Sequence, residues 1–176
     1  MRRSSLSAAA YLPIQTSCSK LQAMQLLCNP FPYLNTERLQ LRPLALSDDH
    51  EILFHRSDPR MLQYIDIERS HNLEDARRFI QKIEHFVAEN KSVYWAICLK
   101  NDPSLIGTIC LWNLDFENAS AEIGYGLHPD FQGMGLMQEA LEKVVAYGRT
   151  EMEAQNLSGS VHPEIAPSIR LLEKNG

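Results

Sequence analysis

The sequence predicts one domain of the α+β class, and three observations carry that reading. A strand-like alternation at residues 38–44 is followed by two helix-patterned stretches, and three β-patterned segments then come in succession between residues 93 and 127. Beyond His128-Pro129 the period turns helical again. A chain of 176 residues with 44% apolar residues is long enough to bury one real core.

The first strand is Arg38 to Leu44 (RLQLRPL), in which apolar and polar residues alternate. Ser47 has the chemistry of an N-cap ahead of DDHEILFHR, whose acids stand where the helix dipole favours them. Asn72 is the next cap. Behind it Ala76, Phe79, Ile80, Ile83, Phe86 and Val87 recur at three- and four-residue intervals, and this helix is expected to end near Asn90.

Val93 to Lys100 and Leu105 to Leu114, joined at Asn101-Asp102-Pro103, read as an antiparallel hairpin, and a turn at Glu117-Asn118 leads into a third strand, Ala121 to Leu127. Leu136, Met137, Ala140, Leu141, Val144, Val145 and Gly148 then mark the apolar stripe of an amphipathic helix. Leu157 to Val161 is a short strand, Pro167 suits the first turn of a last helix carrying Ile169 and Leu172, and Asn175-Gly176 is a helix-ending signal. Residues 1–34 lack strong periodicity and are expected outside the fold, leaving 35–176 as the domain.

Composition excludes several classes. Every apolar run is far shorter than the roughly 18 residues of a membrane helix. Residues 1–36 hold Arg2, Arg3 and Lys20 and no acid, so a formal charge of −5 becomes −8 for residues 37–176. Such a body repels a phosphate backbone and accommodates a cationic acceptor more easily. Cys18, Cys28, Cys98 and Cys110 form no C-x-x-C pair, so they read as reduced thiols of a cytoplasmic protein, and no metal site is expected.

The chemistry concentrates in Gln132-Gly133-Met134-Gly135-Leu136-Met137, between a strand and a helix, where free amides and the positive end of the helix dipole coincide. Gly133 and Gly135 permit positive φ and a close approach of backbone to an anion. The nucleotide loops G-x-x-x-x-G-K-[ST] and G-x-G-x-x-G after a first strand are both missing. The same spacing also suits a plain tight turn.

With that loop at its centre, the run EIGYGLHPDFQGMGLMQEAL (122–141) resembles the acyl-CoA-binding motif [RQ]-x-x-G-x-[GA] of the GNAT acetyltransferase superfamily. Gln132 and Gly135 match it, and Met137 takes the last small position. TERLQLR (36–42) and SIRLLEKNG (168–176) resemble the opening and closing motifs of the ribosomal-protein-alanine N-acetyltransferase branch.

The resemblance implies an α/β/α sandwich on a mixed, mostly antiparallel sheet, in which two parallel strands splay to admit the pantetheine arm of acetyl-CoA. Those strands would be Ala121–Leu127 and Leu157–Val161. It implies cofactor contacts from Leu127, whose neighbouring amides could polarise the thioester carbonyl, from Gln132, Gly133, Met134, Gly135, Leu136 and Met137, and from Ser168. Glu122 is the first choice for the catalytic proton acceptor, with His128 and His162 as alternatives.

The sequence also departs from the family. Ile165 stands where many relatives have Asn, Leu172 where a thiolate-protonating Tyr is common, and Gly126 where the branch carries a bulky residue, which implies a roomier channel. Relatives continue past Gly176 into a terminal β-hairpin, so the fold is expected to stop short of it. Strand 157–161 would then have a bare edge that only the N-terminal segment could cover.

The expected activity is transfer of an acetyl group from acetyl-CoA to a primary amine. An α-amino group of pKa near 7.8 is ~15% neutral at pH 7, whereas neutralising a lysine near 10.4 costs ~4.6 kcal/mol, which favours a protein N-terminus. Polyamines, aminoglycosides and amino acids stay open as acceptors, as does a homodimer. A non-catalytic acyl-CoA-binding module is the rival reading, and a plain structural α+β domain a further one.

Overall fold

In the computed structural model the described residues are 9–12, 24–26, 28–63, 67–160 and 169–172. They form a seven-stranded sheet of β1 (Ala9–Leu12), β2 (Leu34–Asn35), β3 (Leu39–Pro43), β4 (Val93–Leu99), β5 (Asp102–Asp115), β6 (Ser120–Leu127) and β7 (Asn156–Ser160). The order across the sheet is β1-β7-β6-β5-β4-β3-β2. Every neighbouring pair is antiparallel except β6 and β7. A mixed, mostly antiparallel sheet is thus what forms.

Helices cover both faces. Helix α4 (Leu136–Thr150) lies on one face, where Gly148 lets Leu157 Cδ1 approach to 3.1 Å of the position a Cβ would take. Its apolar stripe joins Leu39, Leu41, Ile109, Leu111, Ile123 and Leu157 in the larger core. Trp95 is buried at its centre, donates from Nε1 to Pro32 O at 2.7 Å, and meets Tyr147 edge-on with ring centroids 5.4 Å apart.

The opposite face carries α1 (Asp49–His55), α2 (Pro59–Leu62) and α3 (Leu73–Ala88). Ala76 and Ile80 of α3 and Ile52 of α1 pack there on Ala96, Cys98 and Leu105. The Asn72 cap forms as expected: its Oδ1 accepts from Asp75 N at 2.9 Å.

The α3 helix ends at Ala88, near Asn90 as expected, and Asn90 leaves it with φ of 53°. Three expectations need correction. Ser47 is not the cap of α1. A 3-10 turn, Leu46–Asp48, precedes that helix, and the Asp48 carboxylate takes both the Ala45 amide at 2.8 Å and the Arg42 guanidinium at 2.7 and 2.8 Å. A buried acid held by a paired arginine outcompetes an exposed hydroxyl. Helix α2 was not expected; Asp58 caps it by accepting from Arg60 N at 2.8 Å, with Pro59 at its first position.

Lastly, the segment before residue 35 contributes to the fold. Ala9 to Leu12 pair antiparallel with Ser160 to Leu157 on the outer edge of β7, and Met24, Leu26 and Cys28 are buried in the larger core. An open strand edge and an uncovered apolar surface are both costly, and these residues cover them. Cys28, Cys98 and Cys110 are free thiols.

Candidate active site

Parallel pairing between β6 and β7 covers only Ser120↔Asn156 through Ile123↔Gly159. Strand β6 runs on to Leu127, still paired with β5 from Gly124↔Cys110 to Leu127↔Gly107. On its β7 side, Gly124 to Leu127 face no strand among the described residues. A ligand carrying amides of its own could add to that edge as a strand would.

The bare edge leads directly into the loop. After a 3-10 turn at Pro129–Phe131, Gly133 and Gly135 both adopt φ of 74°, and Gly135 is the N-cap of α4. No amide from Gly133 to Met137 donates to a backbone acceptor among the described residues. These amides form a nest at the positive end of a 15-residue helix, and nothing lies within 4 Å of where a Gly133 Cβ would stand. A diphosphate fits that geometry.

Other predicted residues hold the loop in place. Gln132 Nε2 turns back to donate to Leu127 O at 3.0 Å, joining the strand end to the loop. Leu136 is buried under the helix, Met137 packs on the core, and Met134 is exposed with its carbonyl accepting from Arg38 Nη1 at 2.9 Å. Arg38 Nε also reaches Glu139 Oε2 at 2.7 Å, and Glu139 Oε1 accepts from Arg38 N and Thr36 Oγ1 at 2.8 and 2.5 Å. Burial works against that carboxylate, yet these hydrogen bonds outweigh it and hold its pKa below the ordinary range.

A cavity of about 950 Å³ opens on the α1–α3 face, and Gly124 and Gly126 form part of its wall beside Cys110, Thr108 and Tyr94. The bare stretch of β6 thus borders it. Glu122 belongs to the same alternate set of β6 residues. It accepts from Asn113 Nδ2 at 2.6 Å, and Asn113, like Trp112, lines the cavity. A register shift in β5 between Trp112 and Asp115, with Asn113 at φ of 48°, aims Asn113 at this carboxylate.

His128 is engaged elsewhere: its Nδ1 accepts from Asp130 N at 3.2 Å and its ring stacks on Phe54 at 4.4 Å. His162, Ile165 and Ser168 lie outside the described residues. Leu172 is fully buried, with Cδ1 2.8 Å from where a Gly159 Cβ would stand, so it packs on β7. The room left by Gly126 is also narrower than expected: Met61 Cε and His55 Nδ1 stand 3.4 and 4.0 Å from its missing Cβ.

Sequence reasoning missed His55 and Arg56. Both lie at the end of α1 and line the cavity. The only available signal was a histidine and an arginine closing an otherwise ordinary amphipathic helix. Burial, helped by the neighbouring His128 charge, pushes His55 down to about 4 and keeps it neutral.

An acetyltransferase (GNAT) domain profile matches residues 38–176. The chain belongs to the GNAT acetyltransferase family. It is 36% identical over 139 residues to the uncharacterized N-acetyltransferase p20 of Bacillus licheniformis, covering 79% of this chain and 78% of that protein. Among solved structures it resembles a GNAT-family acetyltransferase from Bacillus anthracis, with TM-score 0.71, 28% identity and 82% of each chain covered. The ribosomal-protein-S5-alanine acetyltransferase of Vibrio fischeri shares the fold, with TM-score 0.72, 22% identity and 82% of each chain covered. This GNAT chain is an acetyltransferase.

Because His55 is neutral in the fold and titrates near 6.5 when unfolded, its contribution to stability is complete above pH 6.5 and is lost as pH falls toward about 4. Between pH 7 and pH 5 this one residue should cost about 2 kcal/mol, measured by denaturant unfolding. His55→Gln should remove that part of the slope. An equal slope in both proteins would place the titration elsewhere.

Proposed function

We propose that this GNAT acetyltransferase moves an acetyl group from acetyl-CoA to a primary amine, and that a protein N-terminal α-amino group is its acceptor. One observation carries the reading: the Gly124–Leu127 stretch of β6, which faces no further strand among the described residues, is followed after one 3-10 turn by the amides of Gly133–Met137, which donate to no backbone acceptor among the described residues. The first suits the amides of a pantetheine arm, and the second suits a diphosphate. Solved neighbours include a ribosomal L7/L12 α-N-protein acetyltransferase in complex with coenzyme A, with TM-score 0.73, 18% identity and 82% of each chain covered. That kinship supports the choice of acceptor.

The chemistry then divides among this chain's residues. The amine nitrogen attacks the thioester carbonyl carbon from the cavity side, the carbon–sulfur bond breaks, and coenzyme A leaves as its thiolate. Amides at the end of β6 near Leu127 polarise the carbonyl oxygen as negative charge develops on it. Glu122, oriented by Asn113, accepts the amine proton directly or through a water.

Two substitutions test this division. Gly135→Val places a β-branched side chain at φ of 74°, facing Arg38 Nη2, and should weaken acetyl-CoA binding by calorimetry at least about tenfold while circular dichroism stays native. Unchanged affinity would remove the loop from the site. Glu122→Gln should lower kcat about 100-fold without altering acetyl-CoA affinity. Full turnover in that variant near neutral pH would discard Glu122 as the proton acceptor.

A further inference from the structure

Four buried side-chain polar atoms lack a hydrogen-bond partner among the described residues, and three of them, His55 Nε2, Arg56 Nε and Ser92 Oγ, belong to residues lining the one large cavity. His55 and Ser92 are 8% and 5% exposed. Buried donors are normally satisfied, so orphans on a cavity wall mark it as a place for polar ligand groups. All three can donate, which suits an anion.

Charge points the same way. Arg78 pairs with Asp75, and Lys91 with Glu89. The other charged groups lining the cavity are then Arg56, Arg69 and Lys82 against the single carboxylate of Glu68. A protein of net charge −5 therefore holds a cation-rich cavity, opposite in sign to what its body suggests. Arg56 is fixed in place: its guanidinium lies 3.9 Å over the Phe79 ring, and Nη2 donates to the Glu68 carbonyl at 2.6 Å. No carboxylate among the described residues pairs with it. Burial lowers its pKa from the ordinary arginine value, outweighing the opposing pull of Tyr94 and Glu68.

We infer that the acceptor carries a carboxylate close to the amine that is acetylated, as in an N-terminal peptide whose next residue is acidic, and that Arg56 binds this carboxylate. The inference rests on the transferase reading above and narrows its acceptor. A charge-assisted pair in a desolvated cavity discriminates strongly against a neutral isostere.

The test uses two peptides of one length and sequence, with Asp or Asn immediately after the N-terminal residue, in acetylation assays at saturating acetyl-CoA. The wild-type kcat/KM should favour the Asp peptide about tenfold or more, with a preference that shrinks as salt is added. Arg56→Met should bring the ratio near one with the acetyl-CoA KM unchanged. Arg56→Lys keeps the cation and should retain part of the preference. Calorimetry with the two acetylated product peptides should give the same order of affinity. A wild-type ratio near one with brisk turnover of both peptides would overturn the inference and leave the transferase reading standing. Failure of both peptides to react would overturn that reading for peptide amines, and this inference with it.

Discussion

Among the described residues, parallel pairing between β6 and β7 spans four residue pairs, from Ser120 and Asn156 to Ile123 and Gly159. The proposed cleft depends on where that pairing ends. A ladder continued to Leu127 would consume the backbone groups of Gly124–Leu127 internally and leave no edge for a ligand. Beyond Ile123, β6 is held among the described strands by its extensive antiparallel pairing with β5. Leu172 on Gly159 fixes where β7 lies, and Gln132 on the Leu127 carbonyl fixes where β6 gives way to the loop.

The two faces of the sheet serve opposite ends. On the α4 face the packing is almost wholly apolar, with Trp95, Leu111, Leu141 and Leu157 excluding solvent, so the helix N-terminus and its open amides are held rigidly. On the α1–α3 face the smaller core of Ile52, Ala76, Ile80 and Ala96 leaves a cavity, and polar groups at its wall remain without partners. In the proposed reaction, rigidity on one face would position the thioester, and incomplete filling on the other would admit an amine. The Arg38–Glu139–Thr36 cluster ties the loop to the start of β3, coupling it to the opposite half of the sheet.

Much of this was legible in the sequence because it depends on periodicity and on glycine. The alternation of residues 38–44 and 121–127 and the stripe of α4 gave strands and helix within a residue or two of their observed ends. Gly133 and Gly135 stood out because positive φ is a property that sequence exposes. What depends on tertiary contact was not legible. Asp48 displaced Ser47 at the head of α1 through an arginine six residues away, which no capping rule foresees. The N-terminal strand has no periodicity of its own and forms only because the β7 edge is there to receive it. His55 and Arg56 matter through absent partners, and a sequence does not report an absence of contact in space.

Hydrogen–deuterium exchange with and without acetyl-CoA tests the account most directly, because it reads the backbone groups on which the cleft rests. The account predicts that acetyl-CoA slows exchange in two short stretches, Gly124–Leu127 and Gly133–Met137, with little change in β3, β4 or α3. Protection confined to other parts of the sheet, or no protection at Gly124–Leu127 under saturating acetyl-CoA, would contradict it.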